Sequence, residues 1–357
     1  MAGRSKMLPE AATVAPGFSR SSLDTFGRRL CQGLLNYVGV GSVLVLLVIF
    51  LAATQPRFAT VDNWINILET SSVLLVLAVG LTFVMIVGGF DLSIGGFLAL
   101  AGVVLAKLVH EGVPVGVAIA IVIASAFALG ALVNGLPIAL GGLSFFVVTL
   151  GTASITGGIA LVTTSAVTQD VFSIPFLRTL GNGEVASLPY IVIVALVVLA
   201  LSLLVTRYTG FGRMLYAVGG NAEAARLAGI RVGVVRIAAY SICAGLAGLA
   251  AVINVGRLGS ADPAGQAGVE LVAAAAVLVG GTSFVGGSGG MFGTFLGTLF
   301  VGVLANGLTL ASISTFWQPI ITGVVLIGAV AVDRLRRSGA LRLPRRRQPA
   351  VKRAEVT

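Results

Sequence analysis

Few side chains in this sequence could do chemistry, and those few sit among long apolar runs. Asp91 stands alone between Glu69 and Lys107, inside GGFDLSIGG, with Ser93 two residues on. A charged side chain at the centre of a bilayer costs about 2.5 to 3.5 kcal/mol on insertion scales, so its presence needs a reason. It could hold a break in a helix, Asp91 and Ser93 fixing a turn or lining a polar cavity where backbone is irregular. It could also cap the helix that follows, at the membrane interface, which is what Asp and Ser ordinarily do before an apolar run. Capping is the expectation. Glu270 opens another apolar run after a polar loop, and helix-start capping is expected of it ahead of a pathway role. Asn134 and Asn306 each precede Gly-Leu late in an apolar run, a place suited equally to interhelical hydrogen bonding and to contact with a polar solute. Phe145 and Phe146 begin a run and could gate a passage or stack on a flat solute face, packing being the plainer role. His110, the single histidine, neighbours Glu111 at a turn, where neither catalysis nor metal binding is expected.

Several chemistries are absent. The sequence has no Gly-x-x-x-x-Gly-Lys-Ser/Thr phosphate loop, and only three lysines. It has no carboxylate pair, no His-Glu-x-x-His and no set of nucleophile, base and orienting residue, so an enzyme would lack a catalytic centre and no metal site is expected. Its two cysteines, Cys31 and Cys243, imply no disulfide framework. An ion-coupled carrier would ordinarily place ionisable groups deep in its spans, and Asp91 is nearly alone there. Energy for any transport is therefore expected from outside the chain.

The elements around these residues are helices in lipid. Of the 357 residues 57% are hydrophobic and 10% charged, with mean hydropathy +1.05, against roughly a quarter charged in ordinary soluble domains. Runs of about 20 apolar residues span a bilayer as helix. Ten are expected, at about 38–53, 69–87, 94–109, two within the uncharged stretch 115–166 broken near ALGGLS, then 190–205, 235–253, 269–285, 291–310 and 316–332. The 48 glycines fit helices that pack backbone to backbone. The fold class is thus an all-α polytopic membrane protein. A transmembrane domain (38–333) follows an uncleaved N-terminal tail (1–37) and precedes a basic C-terminal tail (334–357). A weak internal echo pairs GGFDLSIGGFLALAG with GGTSFVGGSGGMFGTFLG, and NGLPIALGG with NGLTLASIS.

The net charge of +10 lies in tails and loops and not along one face, so a nucleic-acid partner is not expected. Ten spans place both termini on one side. The two tails and the loop around 212–231 carry nineteen Lys or Arg, whereas the opposite loops carry four: Arg57, Lys107, Arg178 and Arg257. Positive loops remain cytoplasmic, so both termini and that loop are expected in the cytoplasm. The stretch itself, GRMLYAVGGNAEAARLAGIR, is a polar, Gly-capped insert that can fold as a short amphipathic helix. Asn221 suits the start, Glu223 the first turn and Gly229 a left-handed end, with Leu227 as an apolar knob and Arg226 as a charged contact.

GRMLYAVGGNAEAARLAGI resembles the cytoplasmic loop of permease subunits of ABC importers for monosaccharides, the ribose and xylose type. GGFDLSIGG, NGLPIALGGLSFFVVTLG and ELVAAAAVLVGGTSFVGGSGGMFGTFLG are similar to that family as well, in order from about Val38 to Arg337. The resemblance implies a homodimer in the bacterial inner membrane, paired on its cytoplasmic face with ABC ATPase subunits and served by a periplasmic sugar-binding protein. ATP and Mg would belong to the ATPase, leaving this chain without a cofactor. It implies that Asn221, Glu223, Ala224, Ala225, Arg226, Leu227, Ala228 and Gly229 form the segment that sits in a cleft of the ATPase, and that import proceeds by alternating access. A permease for a nucleoside, polyol or branched-chain amino acid, and an ion-coupled secondary carrier, are the competing readings.

Overall fold

Thr60, Asp62 and Asn63 start a helix earlier than hydropathy alone suggests. In a computed structural model, which describes residues 39–264, 268–314 and 316–337, the Thr60 hydroxyl accepts from the Asn63 amide and caps α2 (Val61–Ile86). Glu69, taken from sequence as the edge of that span, lies inside the helix. Helix α1 (Gly39–Thr54) precedes it. The chain continues through α3 (Ile94–His110), α4 (Val115–Leu129), a π-helical turn (Gly130–Gly135), α5 (Leu136–Ala139) and α6 (Phe145–Thr164). After α7 (Pro175–Asn182) come α8 (Tyr190–Tyr208), α9 (Gly210–Gly220), α10 (Ala222–Leu227) and α11 (Val232–Leu258). Helices α12 (Val269–Val279), α13 (Met291–Leu310) and α14 (Trp317–Arg337) complete the described chain. The predicted tail 1–37 and Cys31 lie outside the described residues, as does the C-terminal tail beyond Arg337.

Among the described residues, six helices are long and apolar enough to cross a membrane, and four shorter apolar ones accompany them. Each expected span coincides with one of these ten, with one marked difference. The eighth was expected over 269–285, but α12 stops at Val279. Eleven residues rise only about 16 Å, half the hydrocarbon thickness. The reason is local: Gly281, Gly286, Gly287 and Gly289 all take positive φ and break the helix.

The centre of the bundle is α2 and α11. Of the most apolar stretch of α2, 78% is buried, against 22% for α4 and for α6, whose outer faces are left to lipid or to a partner. Backbones meet closely here. A Cβ at Gly80 would lie 3.2 Å from the Cys243 Cα, and one at Gly135 would lie 2.9 Å from the Ile237 Cα. Without a hydrophobic drive between helices in lipid, such contacts carry the packing through dispersion.

Loops gather at two ends. At one end the Gly287 amide donates to the Ile86 carbonyl (2.9 Å) and the Tyr216 hydroxyl to the Gly289 carbonyl (3.0 Å), which brings the α2–α3 loop, α9 and the α12–α13 loop together. At the other end β1 (Gln169–Asp170) pairs antiparallel with β4 (Ser260–Ala261), the Asp170 carbonyl lies 2.7 Å from His110 Nε2, and the short strands β2 (Glu184–Val185) and β3 (Leu188–Pro189) pair with each other. The loops that alternation assigns to one side are the loops that meet. Of the two sequence echoes, the first pair of segments closes two hairpins at the same end, where Gly88 and Gly286 touch. The second pair falls at opposite ends: 134–142 reaches the α9 end, and Asn306 the other.

Candidate functional site

The polar insert is two helices and not one. Gly212 to Gly220 belongs to α9, which buries Leu215 and Val218 against the bundle. The chain then turns at Asn221, whose extended backbone (φ −160°, ψ 103°) breaks the helix. Asn221 Oδ1 accepts from the amides of Glu223 and Ala224, both at 3.0 Å, and so caps α10, an arrangement worth about 1 kcal/mol. At the far end the Gly229 amide donates to the Arg226 carbonyl (2.9 Å) and the Ile230 amide to the Ala225 carbonyl (3.0 Å). That closure needs a left-handed residue, and Gly229 has φ +82°. Both expected ends of the short helix are present at the expected residues.

Its faces are distinct. Ala225 is buried against the bundle, whereas Leu227 is 83% exposed. Arg226 Nη1 and Glu223 Oε2 form an ion pair at 3.0 Å on the same outer surface, with both side chains about two-thirds exposed. Such a pair adds little in water. It does, however, hold two opposite charges beside an exposed leucine on a turn capped at both ends. Ala222, Ala224 and Ala228 complete the segment without bulk.

Asp91 departs from the expectation of an interfacial cap. Its side chain is 0% exposed, as are those of Ser93 and Asn134. The carboxylate accepts from the Ser93 amide (2.8 Å) and from the Ser93 hydroxyl. Asn134 Nδ2 donates to the Ser93 oxygen at 2.8 Å and approaches both Asp91 oxygens at 3.4 and 3.5 Å. The Cys243 thiol is a further donor to the carboxylate, and the Tyr240 hydroxyl donates to the Phe90 carbonyl at 3.3 Å. Asp91 thus ties the loop before α3 to the π-helical turn after α4 and to α11. A buried carboxylate without a cation is tolerable only when hydrogen-bond donors surround it, and here the start of α3, the π-helical turn and α11 supply them. Ser93 occupies the start of α3 but makes no side-chain cap.

The two features are neighbours in the fold. A Cβ on Gly219, two residues before Asn221, would overlap the Ile86 carbonyl, and Ile86 opens the loop that carries Asp91. The other predicted residues are scattered. Glu270 Oε1 accepts from the Gly268 amide (3.2 Å) at the start of α12, the capping role expected. Asn306 exchanges amide hydrogen bonds with Asn63 (2.8 and 3.1 Å) and so ties α13 to α2 at the opposite end. Phe145 packs partly against the core, and Phe146 is 55% exposed on the outer face of α6. Among the described residues no group of His, Cys, Asp or Glu could hold a metal. Sequence reasoning missed Tyr240 and Cys243, which look like ordinary apolar helix residues, and a hydroxyl pair between Thr82 and Thr294 (2.7 Å).

A bundle of apolar helices with glycine-mediated packing is that of a multi-pass membrane protein. The chain belongs to the family described as branched-chain amino acid transport system / permease component, matched over residues 63–330. It is 39% identical over 293 residues to the ribose import permease protein RbsC of Escherichia coli (strain K12), covering 81% of this chain and 91% of the relative. It is 37% identical over 299 residues to the D-allose transport system permease protein AlsC of the same organism, covering 83% and 91%. It is 35% identical over 304 residues to RbsC of Bacillus subtilis (strain 168), covering 85% and 94%. No solved structure matches the chain.

Proposed function

We propose that this chain is the membrane-spanning subunit of an ATP-driven importer that carries a monosaccharide into a bacterial cytoplasm, working as a homodimer with a pair of ABC ATPase subunits and a periplasmic sugar-binding protein. The observation that carries the reading is α10: a short helix fixed at both ends, presenting exposed Leu227 and the Glu223–Arg226 pair, in a chain without a phosphate loop of its own. Relatives named for ribose and allose, each matched over most of both chains, favour a sugar. The family description keeps a branched-chain amino acid as the second reading; the ligand of the partner binding protein, assayed by thermal shift against sugars and amino acids, separates the two.

In this reading nine apolar helices cross the membrane and the half-length α12 completes its crossing with the glycine-rich chain that follows it, both termini and α10 lie in the cytoplasm, and ATP binding draws the ATPase pair together against α10. Movement of α10 passes to α9 through the Asn221 turn and from Gly219 to the loop after Ile86. There the hydrogen bonds of Asp91 link it to the π-helical turn and to α11, so that the pathway opens to each side in turn. Phe145, Phe146, Asn134 and Asn306 are proposed neighbours of that pathway.

Replacing Glu223 with Ala and Leu227 with Ser in the reconstituted complex tests the assignment. Removing a desolvated anchor costs about 2 kcal/mol or more at a protein interface, so association with the ATPase should weaken at least about thirtyfold and uptake should collapse, with the thermal midpoint of the permease unchanged. Unaltered association and uptake would remove α10 from the interface.

A further inference from the structure

Beside the C-terminal end of α10 lies a half-open cavity of about 330 Å³ between α9 and the first turns of α11. Its wall is apolar, from Phe211 and Met214 of α9 to Ile230, Val234 and Ala238. The last two are one turn apart on α11, so the cavity climbs a membrane-spanning helix and does not open only to water. Arg231 stands at its rim and is exposed. Among the described residues the one ion pair is Glu223 with Arg226, so Arg231, Arg207 and Arg213 face solvent at this end with no carboxylate partner. Arg207 lies 5.8 Å from the centroid of the exposed Tyr208 ring. The N-terminus of α11 has no side-chain cap. Helix α9 runs beside the cavity with an apolar face inward and Arg213 outward, the form of a helix that lies in a headgroup layer.

We propose that this cavity is a binding site for an anionic phospholipid, its phosphodiester held by Arg231 and one acyl chain lying along Met214, Val234 and Ala238. Charge complementarity decides the occupant. Four guanidinium groups within 206–236 (Arg207, Arg213, Arg231 and Arg236) exceed the paired Glu223–Arg226, and basic groups at a membrane surface each favour anionic lipid by about 1 kcal/mol. An ATPase seated on α10 would meet the cavity at Ala228 and Gly229 and not at Val234 and Ala238, which lie further along α11. Because Ala228 and Gly229, the end of α10, also line it, an occupied cavity would brace the coupling segment from the bilayer side.

The full chain, purified from vesicles of phosphatidylcholine with 30% phosphatidylglycerol, can be washed in detergent and its retained lipid counted by native mass spectrometry, with no ATPase present. Retention of phosphatidylglycerol over phosphatidylcholine is expected, about fivefold weaker in Arg231→Gln and restored in Arg231→Lys. Ala238→Leu, which fills the cavity and keeps the charge, should also release the lipid. Millimolar inorganic phosphate should not displace it. Equal retention in Arg231→Gln and the native chain, or displacement by free phosphate, would overturn the proposal. So would loss of lipid on adding purified ATPase, since the cavity would then belong to the protein interface. If Ala238→Leu does not fold, the Gln and Lys pair decides alone. Because the ATPase is absent from the first measurement, its outcome is independent of whether α10 docks one.

Discussion

Asp91 keeps a carboxylate in the interior because Ser93, Asn134 and Cys243 all turn donors towards it. Each donor replaces water that the site excludes, and an unmade hydrogen bond to a buried charge costs the whole desolvation penalty of that bond. Asn134→Leu, which keeps the volume and removes the amide, should therefore lower stability by about 1 to 3 kcal/mol, read as a fall in the thermal midpoint in detergent. An unchanged midpoint would mean that the amide does not compensate the carboxylate. Sequence made Asp91 conspicuous but could not show its surroundings. An Asp two residues before a Ser and an apolar run is locally a cap, and burial was imposed by Asn134 and Cys243, 43 and 152 residues further on. The hydrogen bond of Glu270 at the start of α12 was legible because a cap depends on near neighbours, whereas for Asn306 the sequence left interhelical bonding and solute contact equally open, and the facing Asn63 supplies the bond seen.

At the scale of elements, α10 was readable to the residue, since Asn221 and Gly229 are backbone punctuation with a physical cause. Helix α9 was not, because the burial of Leu215 and Val218 depends on the bundle, where α9 meets the distant α2 and α11 as well as its neighbour α8. The π-helical turn at Gly130–Gly135 also left no sequence signal beyond glycines, yet it turns Asn134 towards Asp91. The shortened α12 is a lesson in composition: GGTSFVGG is apolar enough to extend a hydropathy window, but its glycines adopt conformations that end a helix. Gly219 is the point where α9 rests on the Ile86 carbonyl. Gly219→Val must push α9 away, and overpacking of this kind costs about 1 to 3 kcal/mol. The variant should still insert but lose ATP-dependent uptake, while Gly220→Val, at a position with open space around it, should retain it. Equal behaviour of the two would detach α9 from the coupling route.

For the whole molecule, the alternation of spans and the sparse charge already indicated a polytopic bundle, and the relatives place it among permeases. What sequence alone did not supply is the clustering of the α2–α3 and α12–α13 loops around α9, which depends on glycine contacts between segments some 200 residues apart. In the proposed import cycle, that clustering is the route by which movement of α10 would reach the buried core. The central claim, import of a monosaccharide driven by a separate ATPase, is tested most directly by uptake of labelled ribose into proteoliposomes containing this chain, its ATPase and its binding protein. Uptake should require ATP inside, all three proteins and an intact α10, and should be indifferent to proton and sodium gradients. Ribose accumulation by this chain alone under an ion gradient, with no response to ATP, would contradict it.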